Sequence, residues 1–218
     1  MSGYSQSPHI VKGGIVLIDP DSAQVQRVIS LQYNPDTLTR TLQVQSVGEG
    51  AEQSEALRLK GPAVETLKLE AEIDATDQME FPDQHQTVVK AGIAPQLAVL
   101  ESLINPAVAD LLAGKVLANA GTLEIAPMES ALTLFVWGAN RIVPVRVSEF
   151  SITEEAFDVS LNPIRAKVNL GLRVLSIDDL GFDHKGGSLF MAYLQSREKL
   201  AAKAATVGFD ALGLGGIP

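Results

Sequence analysis

Apolar and polar residues alternate strictly along two stretches of the chain. Over residues 164–174 the even positions are Ile164, Ala166, Val168, Leu170, Leu172 and Val174; the odd ones are Arg165, Lys167, Asn169, Gly171 and Arg173. Over residues 66–74 the parity is opposite, with Leu67, Leu69, Ala71 and Ile73 alternating with Lys68, Glu70, Glu72 and Asp74. Successive side chains of a strand point to opposite faces, so each stretch predicts a long antiparallel strand with one apolar and one wet face. Weaker strands are predicted at 14–19 and 27–33, flanking the turn sequence Asp19-Pro20-Asp21-Ser22, and at 37–47. Residues 132–137 are apolar on both faces, as a central strand is. After a turn at Gly138-Ala139-Asn140, the apolar parity of 141–152 switches from Val143, Val145 and Val147 to Phe150 and Ile152. That switch predicts a bulge near Ser148. A further short pairing is expected at 157–161.

Two regions carry helical periodicity instead. Within 88–118, Ile93, Leu97, Leu100 and Ile104 form one stripe, and Asn105-Pro106 interrupts it. A second helix is expected over 106–119. Residues 188–207 read as an amphipathic helix, with Ser188 as N-cap and Gly208 as its stop. A loop or excursion is expected over 48–61, and a loosely held glycine-rich tail over 212–218. The expected fold is mainly β (α+β): about seven or eight antiparallel strands, enough to close a small barrel or pack a sandwich. Its domain spans 1–180 with a helical insertion at 88–119, followed by a C-terminal helix and tail over 181–218.

Composition narrows the function classes. Aromatics are 5% of the 218 residues, so the core is expected to be aliphatic. A net charge of −9 without any basic run argues against a nucleic-acid partner, because phosphate contacts need clustered Lys and Arg. The absence of cysteine excludes disulfides, thiolate metal sites and Cys nucleophiles. Residues 1–8 do not read as a secretory signal, and no window reaches the ~20 apolar residues of a membrane span. Synthesis in the cytoplasm, without direct membrane insertion, is the expectation.

Candidate chemistry is sparse. His9, His85 and His184 lack metal-ligand spacing and read as solvated loop residues. Glu154-Glu155 and Asp178-Asp179 are adjacent pairs, which point apart on a strand and read as solvated charge. No nucleophile elbow or phosphate loop is present. No catalytic, cofactor-binding or metal-ligating residue is therefore assigned, and no enzyme activity is expected. Trp137 before Gly138 is either a core or rim aromatic at a turn, or a contact across a subunit interface.

Residues 13–39 and 134–175, about a third of the chain, carry a resemblance. The first stretch is strand, turn, strand, then Leu31-Gln32-Tyr33-Asn34-Pro35-Asp36-Thr37-Leu38. The second is Phe135-Val136-Trp137-Gly138, a returning strand with Phe150 and Phe157, then Asn162-Pro163-Ile164-Arg165-Ala166-Lys167-Val168. In order and spacing these resemble the tube and baseplate-adaptor proteins of contractile, phage-tail-like injection systems. The resemblance implies a tube-like barrel forming a hexameric ring between the inner tube and the spike. Its partners would be further copies of itself, tube subunits, the spike and other baseplate proteins, within a cytoplasmic or released particle. Tyr33, Asn34, Pro35, Trp137, Gly138, Pro163 and Arg165 carry the motif. Many members add a C-terminal peptidoglycan-binding LysM module; the residues after Leu175 are too few for one, so that activity is not carried over. Arg165, Lys167 and Arg173 either meet acidic neighbours from the next ring or are ordinary solvent-facing charges. The alternatives are a small ligand- or peptide-binding barrel, recognisable by an internal cavity, and a hydrolase with two convergent acids.

Overall fold

The computed structural model describes residues 10–46, 58–119 and 130–217. The excursion expected over 48–61 lies largely outside these residues, as do His9 and the N-terminal stretch. Both alternating segments form long strands: β4 (Val64–Asp74) and β7 (Pro163–Val174). They pair antiparallel, with Leu67 opposite Leu172 and Ala71 opposite Val168. Leu67, Val168 and Leu172 are fully buried, so the apolar face of both strands is the core. Five further strands complete the sheet: β1 (Gly14–Ile18), β2 (Val25–Ser30), β3 (Leu38–Gln43), β5 (Leu132–Val136) and β6 (Ile142–Phe157). Their order is β2-β1-β5-β6-β7-β4-β3, antiparallel throughout. The protein is thus mainly β, of mixed α+β class, and β5 lies inside the sheet as its two apolar faces require.

The parity switch in β6 is a bulge, with the register shifting between Val147 and Glu149. Gly171 sits opposite. A Cβ there would lie 2.7 Å from the Glu149 Cβ, so the bulge needs a residue without a side chain. Of the pairing expected at 157–161 only its start forms, Phe157 opposite Pro163, as the end of β6 rather than as a separate strand. β6 runs unbroken to Phe157, and the Asp158 carboxylate closes the turn by accepting the backbone N–H of Ser160 (2.7 Å) and Asn162 (2.8 Å).

Between β4 and β5 the chain forms α1 (Thr76–Met79), α2 (Gln86–Ala91), α3 (Ala94–Glu101) and α4 (Val108–Asn119). The expected first helix is therefore split at Gly92. That residue has φ +55°, and a Cβ on it would lie 2.1 Å from the Pro163 carbonyl oxygen. The same oxygen accepts Ile93 N–H at 2.8 Å, which pins the helical insertion to the start of β7. Ile93, Leu97 and Leu100 are buried, but Ile104 lies beyond the packed turn and is exposed. The break at Asn105-Pro106 is present.

The C-terminal region starts earlier than the sequence pattern suggests. After α5 (Ile177–Leu180), α6 spans Lys185–Ala201, capped by His184, whose Nδ1 accepts Gly186 N–H at 3.0 Å. His184 is a helix cap rather than a loop histidine, and Ser188 is inside the first turns. Gly186 and Gly187 lie in α6 because α5 presses against them: a Cβ on Gly187 would meet the Gly181 carbonyl at 1.9 Å. The helix ends at Ala201, before Gly208, and a 3-10 turn follows at Phe209–Leu212. α6 packs on β6 and buries Phe190 and Tyr193 in the core, so it belongs to its own chain's sheet.

The sheet curls until its two ends approach. Between β2 and β3 the chain crosses from β1 toward the far end of β4. The Gln32 side chain donates to the Asp74 carbonyl (2.6 Å) and accepts the Asp74 N–H (3.0 Å). The Asn34 side chain accepts Gly13 N–H (2.8 Å) and donates to the Val11 carbonyl (2.9 Å). Among the described residues no backbone ladder joins β2 to β4; these amides span the gap.

Replacing Gly92 with alanine should destabilise the fold by about 2 kcal/mol or more, from a strained φ and a steric clash together. Urea denaturation would read this as a lower midpoint at unchanged slope.

Candidate functional site

The outward faces of β3, β4, β7 and the second half of β6 form one wet surface. Cross-strand pairing sets charge against charge on it. Lys68 Nζ lies 2.7 Å from Glu149 Oε2, Lys167 Nζ lies 3.9 Å from Glu70 Oε1, and Arg165 lies between Glu155 (3.5 Å) and Asp74 (4.0 Å). These groups are largely exposed, so each pair contributes only ~0.2–1 kcal/mol. Their effect is to arrange the surface charge rather than to hold the fold.

This surface is open at both sides. β5 covers β6 only from Ile142 to Val145. From Arg146 to Phe157, β6 has no ladder on that side among the described residues, and neither has the outer side of β3. The four strands β6-β7-β4-β3 alternate in direction. A second copy set edge to edge would therefore bring β3 against β6 antiparallel, continuing the alternation across the seam.

A second constellation lies on the apolar side. Glu65 is 4% exposed. Arg40 Nε donates to its Oε1 at 2.7 Å, and Tyr193 O–H lies 3.2 and 3.1 Å from its two oxygens. Arg197 approaches the carboxylate at 3.5 Å, with its guanidinium carbon 5.5 Å from the Tyr193 ring centre. Arg40 Nη2 also donates to the Tyr193 hydroxyl at 3.2 Å. One buried charge thus joins β3, β4 and α6, and its acceptor sites are met by charged or polar donors. Burial, then the Glu65 charge, push the Tyr193 phenol above its ordinary value; the hydrogen bond to Glu65 raises the Arg40 guanidinium.

The carboxylates with shifted pKa are structural. Asp19, Asp74 and Asp158 are each held below the ordinary 3.8, by hydrogen bonds from Ser22, Thr76 and Asn162 respectively. All three close turns or strand ends. Asp178-Asp179 lies in the first turn of α5 rather than on a strand, and Asp179 completes a capping box with Ser176.

The residues singled out from sequence disperse over the molecule. Tyr33 is exposed on the crossing segment, and its hydroxyl accepts from Gln32 Nε2 at 3.3 Å. Asn34 secures that segment, and Pro35 follows without an N–H to pair. Trp137 stacks on Phe135 with ring centres 5.8 Å apart and packs over Gly13, where a Cβ would meet its ring at 2.4 Å. Gly138 supplies φ +73° for the turn into β6. Pro163 is buried beneath Gly92. Arg165, Lys167 and Arg173 all have acidic partners within the chain, Arg173 reaching Asp179 at 2.7 Å. Arg40, Glu65, Tyr193 and Arg197 were not found from sequence. One signal existed: Glu65 shares the parity of Leu67 and Leu69, so it is a carboxylate on the apolar face. Tyr193 and Arg197, four apart, share a helix face.

No protein-family model matches the chain, and no curated protein matches it significantly. Among the described residues, no helix is long and apolar enough to cross a membrane, and no three His, Asp or Glu side chains converge as a metal site.

Tyr193→Phe should cost about 1–2 kcal/mol at neutral pH, by removing a hydrogen bond to a buried charge. A phenol whose folded pKa is raised contributes stability that is complete below its ordinary value of 10 and lost as pH rises through the folded value. The stability gap between wild type and variant, measured by urea denaturation, should therefore narrow above pH 10.

Proposed function

We propose that this chain is a ring-forming structural subunit, an adaptor or tube initiator joining the inner tube of a contractile injection particle to its baseplate or spike. The observation carrying this reading is the four-stranded wet sheet with two open edges, β3 and the second half of β6. An even number of alternating strands lets identical copies join head to tail with every seam antiparallel, and a closed ring leaves neither of these two edges unpaired. The ion-paired face becomes the lumen wall, and the apolar face stays inside each subunit. The proposed ring is hexameric, following the resemblance of residues 13–39 and 134–175 to tube proteins.

Two further features favour assembly. α4 buries no residue, and Val108, Leu111, Leu112, Val116 and Leu117 are all exposed. A helix apolar on several sides is stabilised by burial against something, and baseplate neighbours supply that surface. A ligand-binding barrel would need a cavity enclosed by the sheet, whereas Leu67, Phe135, Val168 and Leu172 pack there in one buried cluster, and the cleft of about 510 Å³ beside Leu132, Val145 and His184 is open to solvent.

Electron microscopy with mass analysis of particles from the native source tests the reading. Several copies per particle, in a ring at the tube–baseplate junction, are expected; a monomer absent from every particle would overturn it. Because the chain lacks cysteine, pairs placed on the two edges, such as Thr41→Cys with Ser151→Cys, report the seam directly. Within particles such edge pairs should yield disulfide-linked oligomers. A scan along both edges that yields only uncrosslinked chain would contradict the seam.

A further inference from the structure

A concavity of about 270 Å³ opens where β3, the β5–β6 turn and α6 meet. Its walls are Arg40, Trp137, Asn140, Arg141, Tyr193 and Arg197, with Leu200 beside them. Among the described residues no acidic one lines it. The carboxylate that its arginines meet, Glu65, is buried and engaged by Arg40, Tyr193 and Arg197. Three arginines thus border the concavity with one carboxylate, among the described residues, engaged beside them, in a protein whose net charge is −9.

The three arginines are not equivalent. Glu65 holds Arg40 by a 2.7 Å hydrogen bond and draws Arg197 to 3.5 Å, so both stand beside the concavity before any ligand arrives. Arg141 has no ion pair among the described residues, and no hydrogen bond to its guanidinium is found there. It stands on a tight turn whose backbone is fixed: Trp137 N–H donates to the Arg141 carbonyl at 2.8 Å, and Arg141 N–H to the Gly138 carbonyl at 3.3 Å. Guanidinium forks match the geometry of carboxylate and phosphate oxygens, and positioned forks lose less freedom on binding. The volume is below the ~300–1,000 Å³ of small-molecule pockets. It suits a single oxyanion group rather than a larger ligand.

We propose that this pocket is an oxyanion-binding site, taking a carboxylate or phosphate group on Arg40, Arg141 and Arg197 beside the Trp137 ring. This goes beyond the ring reading and does not depend on it.

Trp137 is the only tryptophan, so intrinsic fluorescence reports the pocket itself. The full chain would be titrated separately with inorganic phosphate and with glutarate, against sodium chloride at matched ionic strength. A saturable fluorescence change absent from the chloride control is expected. Saturation by phosphate alone assigns a phosphate-bearing ligand, by glutarate alone a carboxylate such as an acidic side chain, and by both a general oxyanion site. Arg141→Gln, which disturbs no internal partner, should weaken the binding about tenfold or more, as loss of a charged hydrogen bond does. Arg27→Gln makes the same charge change on exposed β2 and should leave it unaltered. A response no different from chloride, or equal loss in both variants, would overturn the proposal.

Discussion

The fold depends on how a curled sheet finishes where its strands run out. The segment after β2 lies between the end of β4 and the residues leading into β1, and the backbone groups facing it need partners. Gln32 and Asn34 supply them with side-chain amides, each offering one donor and one acceptor as a peptide group does. Gln32 reaches the end of β4 and Asn34, two residues on, reaches Gly13 and Val11 beside β1, so one short segment serves both sides of the junction. Pro35 then lets the chain leave toward β3 without stranding a donor. Helix α3 covers the same junction with Leu97 and Leu100, and Gly92 holds that helix to β7. The junction between the two ends of the curled sheet rests on this short crossing, while the contact of Ile93 with Pro163 positions the helical insertion.

The opposite junction is organised by charge. Glu65 occupies a core-facing position that an aliphatic residue could fill, and so brings a desolvation cost that its donors must offset. What it adds is direction: a carboxylate fixes where Arg40 and Arg197 point. The aromatic pair Phe135–Trp137 does the same for the turn carrying Arg141. The two junctions therefore differ in chemistry, one neutral and backbone-like, the other cationic and open to solvent.

Much of the sheet was legible because period-two alternation survives wherever one face is wet. β4 and β7 were read nearly to the residue, and the parity change marked the bulge in β6. The errors have physical causes. Gly92 breaks a helix by close approach to Pro163, a contact some seventy residues away in sequence that no local pattern encodes. His184 displaced Ser188 as the cap because α5 presses on Gly186-Gly187 and starts the helix early. Asn34 and Pro35 stand out in the sequence only as motif residues; the amide clasp that Asn34 makes with Gly13 and Val11 is tertiary, and no local pattern encodes it. The arginine pocket draws on β3, a turn and α6, and only the wrong-faced Glu65 announced it.

The ladder between β1 and β5 joins residues 14–18 to 132–136. During synthesis the N-terminal hairpin emerges first, yet its principal neighbour is more than a hundred residues behind it. At ~5–20 residues per second the interval is roughly 6–25 s, during which an isolated two-stranded hairpin is at best marginally stable. A hairpin translated well before β5 is thus secured only after β5 arrives, and until then its free edge is exposed to wrong pairing.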